Sequence, residues 1–178
     1  MGGRVCLTLS CPPVVGNNRV MADAPPLHPD LQPFLFLLGS WKGKGAGHYP
    51  GIDDFAYLEV ATFTHVGKPF IAYSQRTRDA STGQPLHAET GYLRPAGPGR
   101  AEFSVVQPTG ILEVHDVEVG QTELTMRSSN VVTTATAKRV DAVVRVLQVN
   151  GESMQYTLDM AATGHDMQRH LQAELTRS

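Results

Sequence analysis

The sequence predicts an all-β fold: an antiparallel up-and-down barrel of about ten strands, with a short N-terminal helix closing one end. Three observations predict it. After Gly39 the chain falls into short runs rich in Val, Ile, Thr, Tyr and Phe, with no helix between them. Turn residues divide these runs at Thr82-Gly83, Gly97-Pro98-Gly99, Pro108-Thr109-Gly110, Gly120, Asn150-Gly151 and Gly164. Gly43, Gly45 and Gly47 alternate with other residues, and glycine at the strand period strips one strand face of side chains, permitting sharp bending and close approach of a ligand or another backbone. Consecutive strands joined by tight turns make an antiparallel meander. A sheet that wide closes to hide its edges. About ten strands leave room inside for a ligand, whereas about eight leave little.

A length of 178 residues suits one domain with a tail, and 41% hydrophobic residues suffice for a core. Residues 1–26 are set apart by Gly2, Gly3, Pro12, Pro13, Asn17, Asn18, Pro25 and Pro26. Arg4 ahead of Val5–Leu9 resembles the start of a secretory signal, but the apolar stretch is short and prolines follow it. The expectation is a disordered leader, or a start upstream of a true initiator at Met21, followed by a barrel domain over 27–178. Cys6 and Cys11 both lie in that leader, so the body has neither a disulfide framework nor a cysteine cluster for zinc or iron–sulfur ligation. A net charge of -2 favours neither nucleic acid nor an anionic membrane as partner, and no apolar run is long enough to cross a bilayer as a helix. The expected location is the cytoplasm.

Leu27–Leu38 reads as the helix. Asp30 can cap it, Leu31, Phe34, Leu35 and Leu38 fall near helical spacing, and Gly39 ends it. The glycine-rich stretch Gly39–Pro50 follows and contains the first strand. Trp41 shares the parity of the alternating glycines, which suggests a large plug at one end of a curved sheet. Strands are expected at 40–49, 55–66, 69–78, 85–94, 101–107, 111–119, 122–128, 138–149, 152–162 and 168–176. Asn150-Gly151 is the sharpest turn signal, because a two-residue hairpin wants positive φ at both positions. In Val140–Val149 both faces carry apolar residues, so parity leaves open which side is inside.

The chemistry rests on seven histidines: His28, His48, His65, His87, His115, His165 and His170. None forms a short zinc pattern. No serine sits in a nucleophile elbow and no phosphate-cradling loop precedes a helix, so hydrolase and nucleotide readings are weak. Haem differs from zinc here. The porphyrin supplies four ligands, one neutral histidine supplies a fifth, and no spaced motif is required.

Gly39-Ser40-Trp41-Lys42-Gly43-Lys44-Gly45 matches Gly-x-Trp-x-Gly-x-Gly, and by this motif the chain resembles the nitrobindin family. His65-Val66-Gly67-Lys68-Pro69-Phe70, Glu89-Thr90-Gly91-Tyr92-Leu93-Arg94 and Arg169-His170-Leu171 are similar to that family in the same order. The likeness runs from about Leu27 to the C-terminus. It implies a calycin barrel like the fatty-acid-binding proteins that holds one haem b per chain, binds nitric oxide and isomerises peroxynitrite to nitrate on ferric iron. It places His170 at the proximal iron ligand and counts the signature residues Trp41, Gly43 and Gly45 with the cofactor-binding set. His48, ending the glycine-rich strand, could approach the iron's open side or a propionate. Lys138, opening a strand, could pair with a propionate. His65 reads as structural, capping backbone groups where the chain reverses. The resemblance leaves a homodimer open.

Strand parity opposes the His170 assignment. Leu171, Ala173 and Leu175 share one face while His170, Gln172 and Glu174 share the other, which sends His170 to solvent if the apolar face points inward. A bulge near Gln168–His170 could re-aim the ring. Alternatively, Leu171 could pack beneath the N-terminal helix while His170 faces a wide mouth. The alternative function is a non-catalytic carrier of a fatty acid or other small apolar ligand, its carboxylate held by Arg76, Arg145, Tyr73 or Tyr92. A plain interaction scaffold stands as a third, since fold alone does not fix function.

Overall fold

The turn residues cut the chain where the strands end. The structure, a computed structural model, describes residues 25–178. The expectations for the leader, Cys6, Cys11 and Met21 therefore lie outside the described residues. Ten strands follow in order: β1 (Gly39–Tyr49), β2 (Ile52–Thr64), β3 (Ile71–Asp79), β4 (Pro85–Pro95), β5 (Arg100–Val106), β6 (Ile111–Val119), β7 (Glu123–Thr133), β8 (Val140–Asn150), β9 (Ser153–Ala162) and β10 (His165–Arg177). Each pairs antiparallel with the next, and β1 pairs with β10 to close the barrel. Odd-to-even turns therefore gather at one end, the mouth, and even-to-odd turns at the other.

The N-terminal segment departs from the expected helix. Only Pro29–Phe34 is helical, and it is 3₁₀. Pro33 inside it has no N–H to give an α-helical ladder. The cap is His28, whose Nδ1 accepts from the Asp30 N–H at 3.3 Å, rather than Asp30 itself. Leu31, Phe34 and Leu37 are buried and cover the closed end.

Two turns also differ in detail. Asn150 pairs with Ser153, so the two-residue loop is Gly151-Glu152 and only Gly151 has positive φ there. The pattern of positive φ at both positions occurs instead at Thr163-Gly164, with φ of 54° and 87°.

Trp41 is fully buried at the closed end. Its Nε1 donates to the Leu37 carbonyl at 2.8 Å, and the Arg177 guanidinium lies 4.2 Å from its ring centroid. Arg177 also donates to the carbonyls of Phe36 and Leu38, tying the last strand to the segment ahead of β1. The bare face of β1 serves close approach. A Cβ on Gly43 would overlap the Glu174 carbonyl of β10, and one on Gly45 or Gly47 would overlap the ring of Tyr57 or Phe55.

Candidate functional site: the barrel mouth and the polar girdle beneath it

Inward-facing side chains leave a cavity of about 390 Å³ that runs from the mouth into the barrel. Its walls change with depth. Ile52, Phe55, Leu86, Met160, His170 and Leu171 line the mouth, and Phe63, Leu93, Phe103, Met154 and Leu175 the far end. A belt of polar side chains lies between them.

His170 reaches the mouth because β10 bulges. Arg169 pairs with Asp159 and Leu171 with Leu158, so His170 is an extra residue with no partner on β9. The alternation is reset there, and His170 and Leu171 both line the cavity. The first of the two routes open from sequence is the one the chain takes. The part-buried ring sits edge-on to Tyr49, with centroids 5.3 Å apart, and to Phe55 at 6.4 Å. Tyr49 is itself anchored by donating its hydroxyl to the Ala162 carbonyl at 3.0 Å.

The hydrogen bond of His170 fixes its chemistry. Nδ1 lies 2.9 Å from the His48 carbonyl oxygen. A carbonyl only accepts, so Nδ1 carries the proton and Nε2 keeps its lone pair. Burial holds the imidazole pKa below its ordinary value, so the ring is neutral at pH 7. A neutral imidazole whose other nitrogen donates to a backbone carbonyl is the usual form of a metal-ligating histidine. With apolar and aromatic walls around it, the residues present fit a haem.

The remaining sequence candidates are placed apart from this ring. The His48 imidazole is exposed and pairs with Asp54; what it contributes to His170 is its backbone carbonyl. Lys138 is exposed in the β7–β8 connection. Trp41 lies at the opposite end, and Gly43 and Gly45 lie along β1. His65 accepts from the Gly67 N–H at 3.2 Å, in the capping role read from the sequence.

The sequence offers Arg145 and Tyr73 as interior holders of a ligand carboxylate, but not the buried glutamates they engage. Arg145 of β8 faces inward and donates to Glu89 at 2.6 and 3.0 Å and to Glu113 at 2.9 Å. Tyr73 donates to Glu89 at 2.7 Å, and His115 Nε2 lies 2.8 Å from Glu113. Burial opposes ionisation of Glu89 and Glu113, but Arg145 outweighs it and holds both below the usual carboxylate range. Glu59 of β2 is different. It accepts from Tyr156 at 2.6 Å, and Tyr156 meets Tyr57 at 2.9 Å. Burial lifts Glu59 to about 7, against the opposing hydrogen bonds of Tyr156 and Gln75. One signal was available in the sequence: a charged residue at inward parity between apolar ones, as in Tyr57-x-Glu59-x-Ala61 and Val143-x-Arg145-x-Leu147. Of the residues offered for a fatty-acid carboxylate, Arg76 and Tyr92 face solvent, while Tyr73 and Arg145 are already engaged.

The family profile described as "THAP4-like, heme-binding beta-barrel domain" matches residues 30–177. The chain is 48% identical over 155 residues to Peroxynitrite isomerase 2 of Mycobacterium avium (strain 104), covering 85% of this chain and 96% of that protein. It is 45% identical over 161 residues to Peroxynitrite isomerase 1 of Mycobacterium tuberculosis (strain ATCC 25618 / H37Rv), with the same coverage. The crystal structure of Rv2717c from M. tuberculosis superposes with a TM-score of 0.79 at 43% identity, over 86% of this chain and 99% of that one. An S-type phycobiliprotein lyase from Guillardia theta, at 9% identity and a TM-score of 0.59, shares the fold.

Proposed function

Because the chain belongs to the THAP4-like haem-binding β-barrel family, we propose that it is a haem-dependent peroxynitrite isomerase whose iron is held by Nε2 of His170. The observation that carries the residue assignment is the tautomer. Among the inward-facing histidines, His170 is at the mouth, neutral, and fixed by a backbone acceptor so that one lone pair stays available.

Ferric haem, when bound, supplies an open iron position at which peroxynitrite rearranges to nitrate; nitric oxide is the second ligand proposed for it. The chain's residues do the rest. The β10 bulge and the Tyr49 and Phe55 edges orient the imidazole, and the His48 carbonyl keeps the proton on Nδ1. Phe55, Leu158, Met160 and Leu171 give the porphyrin apolar walls and exclude water. Gly45 and Gly47 act one step back, by letting Tyr57 and Phe55 lie against β1. The His48 imidazole and Lys138 are assigned to the rim, as partners for propionates. Trp41 and Gly43 are assigned to holding the barrel's frame. A carrier of fatty acids is disfavoured, because the buried cation such a ligand would need is already saturated by Glu89 and Glu113.

The test is His170→Ala. The far-ultraviolet dichroism should be unchanged, the Soret band should shift, and haem affinity should fall at least about tenfold, as expected for loss of a ligand bond. Catalysed peroxynitrite decay should drop towards that of free haemin. His65→Ala and His48→Ala should keep the wild-type Soret band, since the latter retains the carbonyl. An unchanged spectrum in His170→Ala would remove this residue from the iron.

A further inference from the structure

The girdle holds three buried carboxylates, Glu59, Glu89 and Glu113, and one guanidinium, Arg145. Arg145 contacts Glu89 and Glu113. Glu59 is only 3% exposed and has hydroxyl and amide neighbours but no cation in ion-pair contact; Arg145, paired with Glu89 and Glu113, acts on it only from further off. A buried carboxylate without a counter-charge is costly unless it takes up a proton or a cation.

A second, independent observation lies beside it. Gln75 is 5% exposed and lines the same cavity, and its Oε1 has no hydrogen-bond partner. Its Nε2 is turned to the Tyr156 hydroxyl at 3.4 Å, which leaves an acceptor free. Tyr57, Phe63 and Tyr73 line the cavity around the pair, and aromatic faces attract cations. The unmet capacity of the girdle is thus for hydrogen-bond donors and positive charge, inside walls that are mostly apolar.

We propose that the girdle is a second ligand site, which takes a small organic ammonium ion with an apolar body. The ammonium donates to the Glu59 carboxylate and Gln75 Oε1, and the body lies among the aromatic and aliphatic side chains towards the closed end. The site is reached through the mouth, because one cavity joins them. It uses neither His170 nor haem, so it stands or falls apart from the isomerase reading.

The groups facing Glu59 set the pH at which this is measured. They are Tyr57 on its own strand, Tyr73 and Gln75 of β3, Glu89 of β4, Arg145 of β8 and Tyr156 of β9. Burial pushes all three tyrosines up, and Glu89 and Arg145 stay charged. Glu59 is therefore the group in this set that titrates near neutrality, and the ammonium should bind more tightly at pH about 8 than at pH about 6.

The probe is benzylammonium, titrated calorimetrically into the full-length chain before and after haemin loading, with benzyl alcohol and benzoate as neutral and anionic controls. Benzylammonium should bind in both states, at least about tenfold more tightly than either control, with no Soret shift. Glu59→Gln, verified as folded by dichroism, should weaken it at least about tenfold and abolish its pH dependence. Gln75→Leu should weaken it several-fold and keep the pH dependence, which protects the test if the first variant misfolds. Equal binding of benzyl alcohol would mean that Glu59 merely holds a proton. A Soret shift, or loss of binding on haemin loading, would put the amine at the mouth instead. Either result overturns the assignment.

Discussion

A missing side chain at Gly43 sets how closely β1 and β10 approach. A Cβ there would overlap the Glu174 carbonyl and come within 2.7 Å of the Leu175 Cα, which are backbone atoms that cannot turn aside. Gly43→Ala should therefore cost about 1–3 kcal/mol, the range of overpacked sites. The atoms nearest a Cβ at Gly45 belong to the Tyr57 ring, a side chain rather than backbone, so the loss in Gly45→Ala should be smaller. The denaturant midpoints of the two variants would measure the difference, and a neutral Gly43→Ala would mean the strands can separate freely. Residues of this kind were legible in the sequence, because alternating glycine and a lone tryptophan have few structural uses. Glu59 was not, and Arg145 was legible only as a holder of a ligand's carboxylate. A charged residue in a strand is ordinarily outward, and nothing local to Arg145 announces Glu89 and Glu113, which arrive from β4 and β6.

At the scale of the element, the strands were legible because their ends are written in turn chemistry. Eight of the nine strand-to-strand connections contain a glycine or proline that also breaks the period. What failed was what carries no composition. The β10 bulge at His170 has no glycine to mark it, so strict alternation sends His170 outward while the real strand resets its register between Arg169 and Leu171. In β8 the register shifts between Val140 and Ala142, which lets Val140 and Val143 both be buried. Its outer face also carries half-buried valines, Val144 and Val146, so neither face could be singled out. The short N-terminal helix is present; its apolar spacing fits both helix types, and Pro33 selects the tighter one.

Across the whole molecule, the buried charges give stability a predictable dependence on pH. Glu59 titrates at about 7 in the folded chain and in the ordinary carboxylate range when unfolded. The folded state thus binds its proton more tightly. Its contribution is complete below pH about 4.5 and is lost as pH rises through about 7, by about 3 kcal/mol. Glu89 and Glu113 run the other way, since their lowered values give stability that is present above the carboxylate range and lost in acid. His170, also lowered, loses its contribution as pH falls below its ordinary value. The melting temperature should peak at mildly acidic pH, about 5–6, and decline towards pH 8. Glu59→Gln should flatten the alkaline decline while leaving the acid limb. An equally steep decline in that variant would trace it to other groups.

The pairing of Trp41 with Arg177 has a consequence in time. Every other strand pair joins neighbours through a short turn and can zip locally, within microseconds for a hairpin. The β1–β10 seam joins the two ends of the domain and must wait for the chain between them to be gathered, because loop closure over a long span costs entropy before any contact repays it. Folding should therefore end with the seam. Trp41, the single tryptophan, sits on it and reports the event. In a stopped-flow refolding experiment its fluorescence should reach the native value no sooner than the far-ultraviolet signal of the strands; an earlier tryptophan phase would show that the ends meet first. His170 lies on the same seam, one residue past the Gly47–Leu171 pair, so a newly made chain completes the proposed iron site only at the final step.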